Sequence, residues 1–202
     1  MFNFKIYFMS EQTPLSLGTE DIKKLLMRYA VPAIVAMTAA SLYNMMDSIF
    51  IGHGVGALGI AGLAVTFPFI NLAAAFGSLV GVGASTLVSV KMGQKDLKSA
   101  EAVLGNVLLL NTVIGFLFMT VCLIFPILYF FGASADTLPY ARDYMKVILY
   151  GNLITHIYMG LNEVMRASGY PQRAMMATLF AVLINGVLNA LFIFVLDMGI
   201  KG

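Results

Sequence analysis

The chain is 202 residues long, 60% hydrophobic and 11% charged, with a formal net charge of +2 and a single cysteine. Ordinary soluble domains carry about a quarter charged residues, so this composition excludes that class. Cys122 stands alone in an apolar run, which excludes a disulfide framework and a thiolate metal centre.

Residues 1–22 read as a polar N-terminal tail. Lys5 precedes only a short apolar patch, so no secretory signal is expected, and Met9 is an alternative start that would make 1–8 an upstream extension. Residues 23–202 read as one helical bundle. Five apolar segments, near 25–50, 57–83, 102–129, 139–162 and 174–196, meet the roughly 18–20 residues needed to cross a bilayer. Each must be helical, because a lone strand in lipid leaves its backbone groups unpaired. The expected fold class is therefore an all-α membrane protein with five transmembrane helices.

Thr19 is the cap candidate for the first span, with Glu20 and Asp21 beside its positive dipole end. Pro32, in the first span, and Pro68, in the second, are kink candidates, since each removes a backbone donor. Residues 77–85 (GSLVGVGAS) offer small side chains for close helix approach. They are not a phosphate loop, because no strand precedes them and no Gly-Lys-Ser/Thr follows. Residues 91–101 (KMGQKDLKSAE) and 166–173 (RASGYPQR) read as basic connections. Pro126 is placed near the end of the third span, and residues 131–137 as a loop before the fourth.

Nine Lys and Arg fall on the side of the tail and the 91–101 and 166–173 connections, against Arg142, Lys146 and Lys201 on the other. This places the N-terminus in the cytoplasm.

Between Arg28 and Lys91 the only formally charged side chain is Asp47. A carboxylate at membrane depth is costly and is retained where it faces a cavity or a partner, unless it snorkels to water at the outer end. At 1.5 Å per residue Asp47 lies about 28 Å beyond Arg28, while Asn185 and Asn189 lie about 18 and 24 Å beyond Arg173. Asp47 and Asn189 thus share a level. Tyr43 and Asn44 sit one turn from Asp47, and the two asparagines share a face at i,i+4. A carboxylate and amide oxygens suit a small hard cation such as Na⁺, and the same carboxylate could take a proton. The plainer reading of the asparagines is interhelical hydrogen bonding, about 0.6–2 kcal/mol each.

Other polar residues carry weaker readings. His156, with Asn152 one turn away, is either a titrating group or a neutral, hydrogen-bonded histidine. Glu163 and Arg166 suit an interfacial ion pair. His53 and Asp197 lie at water-accessible positions. A membrane serine protease would need Ser85 or Ser134 within reach of His156, and neither sits in a G-x-S-G context. Methionines such as Met45, Met46, Met175 and Met176 could line a cleft adaptably.

Four segments in this order resemble the multidrug and toxic compound extrusion (MATE) transporters: Tyr43 to Gly52 (YNMMDSIFIG) after Ala30-Val31-Pro32, then residues 81–101, 162–176 and 185–202. The resemblance runs from about residue 20 onward. It implies a cation-coupled antiporter, not an enzyme, that exports cationic or amphipathic drugs in exchange for Na⁺ or H⁺. It implies a multi-pass protein of the inner membrane, with membrane lipid and a small drug as partners, no nucleic acid and no cofactor beyond the coupling ion. The family's first-lobe carboxylate maps onto Asp47, and its Asn-x-x-x-Asp pair onto Asn185 and Asn189. The second position here is Asn, so either Asp47 carries the ion without a second carboxylate or the coupling rests elsewhere, with Tyr43, Asn44, Asn152 and His156 as cleft candidates. Five helices correspond to most of one six-helix lobe, which implies a fragment whose second lobe is missing from this chain. The alternative within the superfamily is a flippase for lipids or lipid-linked saccharides. That class needs cationic side chains facing the cavity, and none falls inside the first, second, third or fifth span.

Overall fold

A computed structural model describes residues 20–124 and 127–201. The cap expected at Thr19 and the expected position of Pro126 lie outside the described residues. Every regular element among the described residues is helical. Five long helices form the body: α1 (Ile22–Gly54), α2 (Ala57–Gly93), α3 (Leu97–Ile124), α4 (Leu138–Ala167) and α5 (Pro171–Ala190). A single helical turn, Ile127–Phe130, follows α3, and a π-helical turn, Leu191–Val195, continues α5.

The termini follow local chemistry. Asp21 caps α1, its Oδ1 accepting the Lys23 amide at 3.2 Å, and Glu20 reaches forward to Arg28 at 3.4 Å. The α1–α2 connection is only Val55 and Gly56. Gly56 adopts φ +92°, where a side chain would be strained, and this reverses the chain within two residues. Asp96 opens α3 by accepting the Ser99 amide at 3.1 Å.

The connections expected over 91–101 and 166–173 are shorter than their polarity suggests. α2 runs on to Gly93 and α3 begins at Leu97, while α4 runs to Ala167 and α5 begins at Pro171. Charge marks where a helix leaves the hydrocarbon, not where it stops, because the interface solvates charged side chains on intact turns. The third span is helical to Ile124 and again over Ile127–Phe130, and the residues between lie outside the described ones. Pro32 and Pro68 both lie within unbroken helices.

α2 and α4 form the central pair. The buried positions of α2 repeat every three or four residues from Gly59 to Met92, and those of α4 from Ala141 to Val164. Small residues set the closeness of this packing. A Cβ added at Gly62 would stand 3.0 Å from the Ala141 backbone nitrogen, and one at Gly81 would stand 3.1 Å from the Gly160 Cα. In lipid such close approach, not hydrophobic exclusion, drives helix association. α3 covers one side of the pair. Two apolar clusters fill the junction: Val88, Val107 and Val164 with their neighbours, and Phe69, Met145 and Leu149 towards the other end. α1 and α5 pair with each other on the opposite side.

Four helices, α1, α2, α3 and α5, are long and apolar enough to cross a membrane by length and composition. The fourth expected apolar segment departs from this. α4 has 30 residues but carries Arg142, Asp143, Lys146, Glu163 and Arg166, and it buries Asn152, His156 and Asn162. As the helix most enclosed by its neighbours, it keeps these amides and the imidazole among protein atoms, away from lipid.

Candidate ion-binding site

Three helices converge on Asp47. α1 presents Tyr43 and Asp47 one turn apart. α5 presents Asn185 and Asn189 in the same relation, and the Asn189 Nδ2 donates to Asp47 Oδ1 at 3.0 Å. α4 supplies a residue that sequence reasoning missed, Tyr144, whose hydroxyl donates to Asp47 Oδ2 at 3.4 Å. The Tyr43 hydroxyl lies beside the carboxylate and both amides. All five side chains are half-buried. α1 and α5 meet closely here, with Met46 Cε 3.7 Å from where a Cβ on Gly186 would sit.

Each carboxylate oxygen has one neutral donor, and no ion pair involves Asp47 among the described residues. The Asn185 Oδ1 is buried without a hydrogen-bond partner. A half-buried carboxylate with uncharged neighbours, next to an unpartnered amide oxygen, is a site with surplus acceptors. Its chemistry suits a proton or a small cation, since hard cations take carboxylate, amide and hydroxyl oxygens. Rotating the Asn189 amide half a turn would exchange its donor for another oxygen. No group of three His, Cys, Asp or Glu that could hold a metal occurs among the described residues.

The remaining candidates are placed elsewhere. Asn44 is exposed, and its backbone carbonyl accepts from the Ser48 hydroxyl. Asn152 and His156 lie in the junction of α2, α3 and α4, apart from the Asp47 group. Asn152 donates to the Gly115 carbonyl at 3.3 Å, and the His156 Nδ1 meets the Asn152 carbonyl at 2.9 Å. They share the stripe of Met145 and Leu149 that faces α2 and α3, whereas Tyr144 belongs to the face turned to α1 and α5. α4 thus has two polar faces, which depth along a helix cannot separate. Asn111, also missed, is fully buried in that junction, and its amide atoms and the His156 Nε2 have no partner there.

Glu163 and Arg166 approach to 3.7 Å as an i,i+3 pair. Arg166 also donates to the Asn162 Oδ1 at 2.9 Å, and the Asn162 Nδ2 donates to the Ala174 carbonyl, which ties α4 to α5. The Ser85 hydroxyl donates to its own helix at the Val82 carbonyl, and Ser134 bonds with Thr137 in the loop. Neither serine is paired with His156, so the protease reading has no support in the geometry.

The family model MatE matches residues 32–191. The chain belongs to the MatE family. A MatE relative, the multidrug export protein MepA of Staphylococcus haemolyticus (strain JCSC1435), is 28% identical over 184 residues, covering 90% of this chain and 41% of that protein. Among solved MatE structures, the MATE multidrug transporter DinF-BH is 36% identical, with a TM-score of 0.84 over 92% of this chain and 42% of its own. An outward-facing multidrug resistance MATE transporter of the MOP superfamily is 27% identical, with a TM-score of 0.85 over 93% of this chain and 42% of its own. The chain therefore spans about two fifths of the length of the relatives it matches. This MatE chain is a multi-pass membrane protein of a transporter family, not an enzyme.

Proposed function

We propose that this chain forms the first lobe of a multidrug exporter in which efflux of a cationic or amphipathic compound is coupled to Na⁺ or H⁺ at Asp47. The observation that carries this reading is the Asp47 carboxylate, held at 3.0 Å by Asn189 from the far end of the chain with no cationic neighbour. A carboxylate so placed is stable at depth when a proton or a cation neutralises it. Either arrival competes with the Asn189 amide and the Tyr144 hydroxyl for the same oxygens. Occupancy would thereby loosen the ties between α1, α4 and α5, and this is the differential contact that ion-coupled movement requires. The Asn185 and Tyr43 oxygens complete the donor set.

The second lobe, from a continuation of the polypeptide or from another chain, would supply the opposite wall of the drug cleft and the partner for alternating access. The Lys and Arg distribution supports an inner-membrane orientation with a cytoplasmic N-terminus. The flippase alternative is not favoured, because no Lys or Arg stands by the Asp47 group to hold a phosphate.

The test is drug efflux from vesicles carrying the whole transporter. Asp47→Asn keeps the side chain's size and one of its two accepting oxygens but cannot ionise. It should lower ion-driven efflux more than about tenfold, within the usual range of coupling energies, while membrane insertion is unchanged. Normal efflux with either ion gradient would refute the role.

A further inference from the structure

At the end of the bundle away from the 168–170 turn, a cavity of about 480 Å³ opens between the end of α3, the turn Ile127–Phe130 and the start of α4. Its floor is apolar, with Cys122, Leu128, Met145 and Leu149. Its rim carries Arg142 and Lys146, both exposed and one helical turn apart. Neither has an ion pair among the described residues, and the intervening Asp143 does not line the cavity. A second cavity of about 640 Å³, walled by Phe69, Phe76, Phe118 and Phe131, lies on the other flank of the same turn. The two share Cys122 and Ile127.

The geometry points to a binding site for an anionic phospholipid, with its phosphate between Arg142 and Lys146 and its acyl chains in the two apolar cavities. Three features converge on that occupant. The cations lie about 6 and 12 Å along α4 from its first residue, the depth from which long basic side chains reach the headgroup layer. Arg offers a phosphate two parallel N–H donors, and Lys adds a point charge. The floor and the flanking aromatic groove offer almost no polar group, so they suit hydrocarbon and not a peptide backbone. The site lies on the α2–α3–α4 side, whereas Asp47 is held by α1, α4 and α5. It does not depend on the exporter reading.

Native mass spectrometry of the chain released from micelles with equal phosphatidylglycerol and phosphatidylcholine tests this. Each cation near the headgroup is worth about a fivefold preference, so phosphatidylglycerol should be retained roughly 30-fold over phosphatidylcholine at low salt. The double variant R142Q/K146Q should lose that preference with helicity by circular dichroism unchanged. The variant K91Q/K98Q, altered at the opposite end of the bundle, should keep it. Cys122→Phe, which fills the shared floor, should lower lipid retention while leaving the headgroup preference. Equal retention of the two lipids would overturn the proposal, as would a preference that survives R142Q/K146Q. Displacement of the lipid by inorganic phosphate would also overturn it, because the cavities would then contribute nothing.

Discussion

A carboxylate part-way along a membrane helix is stable only with company, and Asp47 finds it in two neutral donors, Asn189 and Tyr144. In this setting the identity of residue 189 decides how much negative charge the group holds. Asn189→Asp adds a second carboxylate about 3 Å from the first, and two such groups cannot both ionise without a cation or a shared proton. We expect this variant to shift the Na⁺ or pH dependence of efflux in the whole transporter, read from transport under each gradient; unchanged dependence on both would place Asn189 outside the site. A second residue-scale prediction concerns Asp96. Its carboxyl is held below the ordinary range, first by hydrogen bonds from the Ser99 hydroxyl and amide and then by the Lys91 charge. A depressed value means that the stabilisation is present above about pH 4, the unfolded value, and fades as pH falls through the folded one. Asp96→Ala should therefore lower the thermal midpoint at neutral pH, and the gap from the parent chain should close only in acid below about pH 4. The pairing of Asp47 with Asn189 was legible from depth arithmetic on two straight helices anchored at Arg28 and Arg173. Tyr144 was not, because a tyrosine near a span boundary reads equally well as an interfacial anchor.

At the scale of elements, the α2–α4 contact depends on what is missing from its surface. Gly62 sits against the Tyr140 and Ala141 backbone, which cannot rotate aside as a side chain can. Gly62→Ala should destabilise the bundle by about 1–3 kcal/mol, the usual range for an overpacked contact. Gly83 lies in the same helix with open space where its Cβ would stand, so Gly83→Ala should be neutral. Unfolding of both variants in mixed micelles separates contact from helix propensity, and equal effects would show that close approach is not what matters. The small-residue run 77–85 carries this signal in the sequence, but Gly62 lies outside that run. The lengths of the connections are not legible in the sequence, because polarity alone does not distinguish a loop from a helix emerging into the interface. The π turn at Leu191–Val195 has no recognisable signal in LFIFV, a run that any buried helix could contain.

For the whole molecule, burial is uneven. Only 6% of the apolar window of α5 and 11% of that of α1 is buried inside the chain, against 28% for α2. Helices with few internal contacts open at lower free energy than those at a packed junction. Hydrogen exchange in detergent should therefore be faster in α1 and α5 than in α2 and α4, with the 43–47 and 185–189 segments the slowest parts of that pair; uniform protection would show that the two sides are one cooperative unit. α1 also touches α2 sparingly along their lengths and is joined to it through Val55 and Gly56. That gives α1 the mechanics of a lever pivoted at one end. Asp47 is about nine residues from the pivot, a radius of about 14 Å, so a swing of about 10° carries its carboxylate about 2 Å. A displacement of that size parts a hydrogen bond of 3.0 Å, so small angular motions at a two-residue corner suffice to make or break the grip on an ion.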